Sequence, residues 1–285
     1  MIPISAFFGA SAHSAYVRRD SFMEQLRNHS AVLRFKKYTP LIQELVGRDL
    51  KLKYRRSVLG YFWSLLNPLM MMTIMTVIFS FMFRFDIPNY PLYLICGQTL
   101  YNCFNEAANR AMTSIIDNGN LIKKVYIPKY IFPLAKVTSS FVNMLFNLVA
   151  ILIVMIFTGT GFHLSFLLFP LPLICLYLFA CGIGLAFSAL AVQFRDIMHL
   201  YSVLMMAWMY ATPIFYPISA VPGWVQTIIR MNPLYLFIDA FRQLLLYGTV
   251  PSALAWLGCI GSALLFLGIG SLIFRKMQRN FIFYV

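Results

Sequence analysis

Charge is scarce in this chain. Only 11% of its 285 residues are charged, against about 25% in a soluble domain, while 60% are hydrophobic. That deficit excludes a soluble globular enzyme, a disordered chain and a coiled coil, each of which needs more polar surface. Acid is scarcer still, with nine Asp and Glu against 23 Lys and Arg, and no two carboxylates are spaced for acid–base work. No Gly-Lys pair occurs, so a phosphate-binding GxxxxGK(S/T) loop is absent, and so is a GxSxG nucleophile turn. The five cysteines form no CxxC pair and the four histidines have no ligand spacing, which leaves neither a disulfide framework nor a metal site.

What the chain has instead is long uncharged runs, covering 57–83, 87–105, 137–194, 197–229 and 243–274. With a mean hydropathy of +0.75, these mark an integral membrane protein, since a membrane helix needs about 20 mainly apolar residues. The longest run must hold two crossings, and Gly159-Thr160-Gly161 supplies the turn between them. The expected fold is all-α, with six transmembrane helices near 59–83, 91–115, 131–157, 165–192, 198–218 and 252–274. An N-terminal segment (1–57) precedes this membrane domain (58–275), and a short tail (276–285) follows it.

Sorting the bases by this topology places eighteen on one face and only Arg84, Arg230 and Arg242 on the other, with Arg110 and Lys136 inside spans. Basic loops stay in the cytoplasm, so both termini are expected there. A basic nucleic-acid binder is excluded because such proteins do not set their bases between long apolar runs. The two halves share no repeat, so a symmetric pore would need two copies of the chain.

Two stretches fit neither loop nor span. Within residues 38–56, Leu41, Leu45 and Leu52 alternate with Arg48, Lys51, Lys53, Arg55 and Arg56, as in a basic helix lying in the membrane interface. Residues 222–248 are too apolar for an exposed loop yet broken by Asn232-Pro233, which suggests two re-entrant half-helices.

Polar residues recur at helical spacing inside the second and third spans. Gln98, Asn102, Asn105 and Asn109 share one face of a helix, and Lys136, Ser140, Asn143 and Asn147 repeat the same steps. Glu106 and Arg110 are four apart and can pair, which offsets part of the cost of charge in a membrane. Two readings stay open for these rows: hydrogen-bond glue between helices, or the lining of a wet path. In the fifth span Tyr201, Trp208 and Phe215 recur every seven residues, either as packing or as a stacking surface for sugar rings. Ala180, Gly184 and Ser188 form a small-residue packing face on the fourth span.

Four segments carry a family resemblance. The run from Tyr54-Arg55-Arg56 through Gly60-Tyr61-Phe62-Trp63 to Asn67-Pro68-Leu69 resembles the start of the membrane subunits of type-2 ABC exporters for polysaccharides such as O-antigen, capsule and teichoic acid. Asn120-Leu121-Ile122-Lys123-Lys124-Val125, within loop 117–129, resembles their cytoplasmic coupling helix. Arg195-Asp196 followed by Thr212-Pro213-Ile214-Phe215-Tyr216-Pro217 resembles their fifth span, and Asn232-Pro233-Leu234 with Ala240-Phe241-Arg242 the region before the last one. Together they span about residues 38–275.

The resemblance implies a homodimer in the bacterial cytoplasmic membrane with two copies of a separate ATP-binding subunit, which would carry ATP and Mg while this chain carries no cofactor. It implies export of glycans built on undecaprenyl diphosphate. On that basis Tyr54, Arg55 and Arg56 are candidates for the lipid diphosphate headgroup, with anchoring to anionic lipid as the simpler reading of the same residues. Tyr61, Trp63, the Gln98–Asn109 row, Tyr201, Trp208 and Phe215 are candidates for the glycan path, and Glu106, Arg110 and Lys136 are intramembrane charges. Competing classes are an ATP-driven exporter of a lipid or drug, an ion-coupled transporter using those three charges as a relay, and a membrane glycosyltransferase, which the lack of an acidic motif disfavours.

Overall fold

The computed structural model describes residues 38–53, 55, 59–60, 62–82, 87–124 and 127–281. Residues up to Glu44 form one unit, of which the start of helix α1 (38–53) is described; Leu45–Val285 form the second. The second unit continues with α2 (Phe62–Met82), α3 (Tyr90–Asp117), α4 (Gly119–Lys124), α5 (Ile131–Phe157), α6 (Pro170–Gln193), α7 (Ile197–Ala211), α8 (Gly223–Arg230), α9 (Pro233–Leu245) and α10 (Ala253–Met277). No strand occurs among the described residues.

Local chemistry sets the helix ends. Asn89, in the left-handed region at φ 51°, caps α3 by accepting from the Leu92 amide, and Ser252 caps α10 through the Ala255 amide. Pro170 and Pro233 open α6 and α9, where a missing amide proton costs nothing. Arg275 and Lys276 close α10 beside its negative dipole end.

Among the described residues four segments are long and apolar enough to cross a membrane: Phe62–Phe79, Ile131–Phe157, Leu164–Gln193 and Ala253–Met277. Helix α3 has 28 residues, about 42 Å, but its polar row lowers its hydropathy. Helix α7 has 15 residues, about 22 Å against a core of about 30 Å. The expected fifth span (198–218) therefore stops at Ala211. Thr212, next to Pro213, takes an extended conformation, and Pro217 keeps the segment from resuming a helix.

Helix α3 is the hub, buried from Leu92 to Gln98 and packed against α2, α5, α6, α7 and α9. By contrast α2 leaves Met70, Met71, Ile74, Val77 and Ile78 exposed although it is apolar on every side. Such a helix belongs against lipid or another membrane chain. On α6 the small face of Ala180, Gly184 and Ser188 is buried as expected, Gly184 lying against Ala111 and Val137. The tightest crossing lies elsewhere, where Gly182 of α6 meets Phe266 and Gly270 of α10.

The expected tail at 276–285 is not free at its start. After α10 a 3-10 turn (Gln278–Asn280) brings Phe281 into a second cluster with Ile115, Leu185, Ala189, Val192 and Phe274, the two rings meeting edge-on at 5.6 Å. Lys129 lies over the Phe281 ring and donates to Gln278 O at 3.0 Å; burial there pushes its ammonium pKa down.

Candidate functional site

The second half of α1 buries Leu45 and Asp49, one helical turn apart. Asp49 then becomes the centre of an ion network. Lys136 Nζ of α5 lies 2.8 Å and Arg110 Nη2 of α3 3.3 Å from its Oδ2, with Arg48 at 3.6 Å from Oδ1. Glu106 Oε1 accepts from Lys53 at 2.7 Å and from Arg110 Nη1 at 3.3 Å. The expected Glu106–Arg110 pair is present, and it extends into a chain of charges joining α1, α3 and α5. Asp49 is the residue missing from the sequence-based candidates, because its partners lie 61 and 87 positions away and no local spacing reports them.

Asp49→Asn removes the anion shared by Arg110 and Lys136. The expected loss is about 3 kcal/mol, the low end for a broken buried pair because both cations keep partial access to water. Combining Asp49→Leu with Lys136→Met should restore most of the melting temperature in detergent. A double variant as unstable as the single one would show that the loss does not come from leaving the Lys136 charge unpaired.

Beside this network a cleft of about 350 Å³ opens between α2, α3 and α5, bounded by Lys53, Trp63, Asn67, Asn102, Glu106 and Asn143 among others. It brings together Trp63 and Asn102 of the expected path with Glu106 of the intramembrane charges. Along α3 the row is graded: Gln98 is buried, Asn105 half-buried, and Asn102 and Asn109 are exposed.

The fifth-span rings are turned inward. Tyr201 donates to Asn105 O and Oδ1, 3.2 and 3.1 Å away, and sits edge-on to Phe187, while the Tyr101 hydroxyl bonds Met205 O. Trp208 Nε1 donates to Asn232 Oδ1 at 2.9 Å, and the indole packs edge-on against Phe104 and Phe179. Phe215 stacks on Phe79 at 5.4 Å. A buried indole or phenol seeks a partner for its polar tip, and these find theirs within the chain. The exposed face of α7 is the opposite one, with Leu200, Val203, Leu204, Met206 and Tyr210.

The unwound segment after α7 is held by side chains. Arg242 of α9, 2% exposed, donates from Nη1 to Pro213 O at 2.7 Å, from Nη2 to Ile214 O at 3.1 Å, and from Nε and Nη2 to Tyr93 O at 3.1 and 3.0 Å. Its guanidinium carbon lies 3.4 Å from the centre of the Tyr93 ring. Tyr90 donates to Phe215 O and Tyr93 to Tyr216 O, each at 2.9 Å. Asn232 Nδ2 donates to Thr212 Oγ1 at 2.9 Å while its Oδ1 caps α9 at the Leu234 amide. Every carbonyl from 213 to 216 thus has a side-chain donor, which replaces the helix ladder that Pro213 and Pro217 deny. Arg242 is thus a core residue whose charge is answered inside the protein.

Residues 40–246 match the family described as ABC-2 type transporter. The chain belongs to that family. Its relatives include the "O-antigen export system permease protein RfbA" of Klebsiella pneumoniae, 33% identical over 244 residues that cover 85% of this chain and 93% of the relative. RfbA of Myxococcus xanthus is 26% identical, covering 86% and 95%, and the "Polysialic acid transport protein KpsM" of Escherichia coli is 23% identical, covering 80% and 90%.

In this ABC-2 transporter chain the loop between α3 and α5 folds as α4 and presents two faces. Ile122 packs on the cluster around Phe281, whereas Asn120, Lys123 and Lys124 are exposed and Leu121 is half-buried. Arg55 is exposed in a turn after α1. Tyr54, Arg56, Tyr61 and Val125 lie outside the described residues.

Proposed function

We propose that this chain is the permease of a polysaccharide exporter, moving a glycan linked to undecaprenyl diphosphate out across the bacterial cytoplasmic membrane. In this reading six segments cross the membrane, both termini are cytoplasmic, and two copies of the chain pair with two copies of a separate subunit that binds ATP and Mg. The substrate class is supported by the relatives named for O-antigen export and polysialic acid transport. The observation that carries the path is the exposed polar edge of α3. Asn102 is exposed in the lining of a half-polar cleft, and Asn109 is exposed two turns further along the same helix. Uncovered amides on a membrane helix require water or a second protein surface. The exposed apolar faces of α2 and α7 supply surfaces on which a second copy would close such a path. Tyr201, Trp208 and Phe215 then brace its wall from behind, with Trp63 at its edge.

Depletion of the chain tests the cargo. Surface glycan should fall while diphosphate-linked polymer accumulates inside the cell. If both pools stay normal, the glycan reading fails and export of a lipid or drug takes its place.

The exposed lysines of α4 would meet the ATP-binding subunit, with Ile122 rooting that helix in the bundle. Lys123→Glu with Lys124→Glu should lower glycan-stimulated ATP hydrolysis and export by about tenfold or more, the equivalent of one like-charge clash at an interface. Unchanged export by that variant would rule α4 out as the contact.

A further inference from the structure

The cleft between α2, α3 and α5 holds polar atoms that the chain itself does not answer. Thr99 is 2% exposed and lines the cleft with Asn147. Among the described residues neither Thr99 Oγ1 nor Asn147 Oδ1 has a hydrogen-bond partner. Thr73 and Thr138 return their hydroxyls to the carbonyls four residues back, Leu69 and Leu134, each at 2.8 Å, whereas Thr76 of α2 is left unpaired as Thr99 is. Thr99 forgoes that bond. Buried polar atoms left unpaired destabilise a fold, so an unanswered pair in one cleft points to a ligand.

The lining states what that ligand is. Trp63 offers an indole, Asn102 an amide that both donates and accepts, and the Lys53–Glu106 pair, 2.7 Å apart, a carboxylate beside an ammonium. An acyl chain would leave Thr99 Oγ1 and Asn147 Oδ1 unpaired. A bare phosphate would set its oxygens against the Glu106 carboxylate and the Asn147 carbonyl oxygen, which accept and do not donate. Vicinal hydroxyls donate and accept at once, and the C–H face of a sugar ring suits an indole. The volume of about 350 Å³ falls at the small end of ligand sites, which run from roughly 300 to 1,000 Å³.

We propose that this cleft is a carbohydrate subsite inside a single protomer, gripping one sugar unit of the cargo through Thr99, Asn102, Asn147 and Glu106 with Trp63 beneath the ring. It would select for sugar, whereas a path closed by a second copy would only pass the chain along. The inference rests on the glycan reading above.

The test uses the complex of this chain with its ATP-binding partner in lipid nanodiscs. The probe is lipid-linked glycan extracted from cells depleted of the chain, titrated against ATP hydrolysis. Thr99→Val and Asn147→Leu keep shape and remove only the unpaired atoms. Each should raise the half-saturating glycan concentration about tenfold, the value of one hydrogen bond. The melting temperature without glycan should hold or rise, whereas a structural hydrogen bond at Thr99 would make it fall and would overturn the subsite. Asn102→Ala, at an exposed position, should weaken glycan response equally and decides the matter should Thr99→Val misfold. Unchanged half-saturation in Thr99→Val and Asn102→Ala overturns the subsite but leaves glycan export standing. If the wild-type complex ignores the extracted glycan, the cargo reading fails and the subsite falls with it.

Discussion

Gly270→Ala should cost this protein most of its folded yield, although it adds a single methyl group. A Cβ at Gly270 would overlap the Gly182 carbonyl, and one at Gly182 would overlap the backbone of Phe266. Neither neighbour is a side chain that can swing aside, so α6 and α10 must separate along their contact. Overpacking in a close-packed core costs about 1–3 kcal/mol, and backbone against backbone lies at or above the top of that range. The same helix carries its own controls. Gly261 and Gly268 have open space where a Cβ would stand. Alanine at either should be neutral or stabilising by about 0.5–1 kcal/mol, since glycine in a helix interior sacrifices backbone entropy. Melting temperatures of the three alanine variants in one detergent give the comparison. Equal behaviour at 261, 268 and 270 would show that the α6–α10 crossing has slack. In a membrane the close approach of the two backbones takes over much of the role that hydrophobic burial has in water.

How much of this was legible beforehand depends on the range of the signal. Features set within one or two helical turns were readable. The apolar runs placed α2, α5, α6 and α10, the Gly159–Gly161 turn separated two of them, the break at Asn232-Pro233 was visible, and Glu106 and Arg110 pair as their spacing requires. Features set by contact between distant segments were not. No local spacing marked Asp49 out, yet it joins α3 to α5. Gly182 falls between Ala180 and Gly184 in sequence but on the other side of α6, so the spacing of that small face did not report its closeness to α10. The aromatic heptad of α7 was visible as a stripe, but periodicity does not say whether a stripe faces inward. Tyr201 and Trp208 turn in because Asn105 and Asn232 offer acceptors to their polar tips. Pro213 was in plain view as well, and its consequence, a fifth helix ending at Ala211, follows from the conformation that proline imposes on the residue before it.

Arg242→Met is expected to be as damaging as the glycine change, for an electrostatic reason. A guanidinium that is 2% exposed and bonded only to carbonyls is unusual in a protein interior. Its site is nevertheless built for positive charge. The C-terminal end of α7 presents its negative dipole there, and the face of Tyr93 lies beneath the guanidinium. Planarity matters, because the donors reach Tyr93 on α3 and Pro213 and Ile214 on the unwound segment at the same time. Methionine leaves the Ile214 carbonyl without its donor and the Pro213 carbonyl with only a share of the Tyr93 hydroxyl, 3.2 Å away. Each buried unpaired carbonyl costs about 1–3 kcal/mol, so a loss of about 3–5 kcal/mol is expected once the vacated volume is included. Lysine retains the charge but not the fork and should recover only part of that loss. Tyr93→Phe, which keeps the ring under Arg242 and removes one hydroxyl, should cost about 1–2 kcal/mol. Gly97→Ala approaches the same site from the other side, setting a methyl 2.5 Å from Arg242 Nη2. Thermal unfolding of the four variants should rank Arg242→Met below Arg242→Lys, and Arg242→Lys below Tyr93→Phe, with Gly97→Ala destabilised as well. A stable Arg242→Met variant would mean that water or lipid already serves the carbonyls between α7 and α8, and that the segment is open rather than clamped.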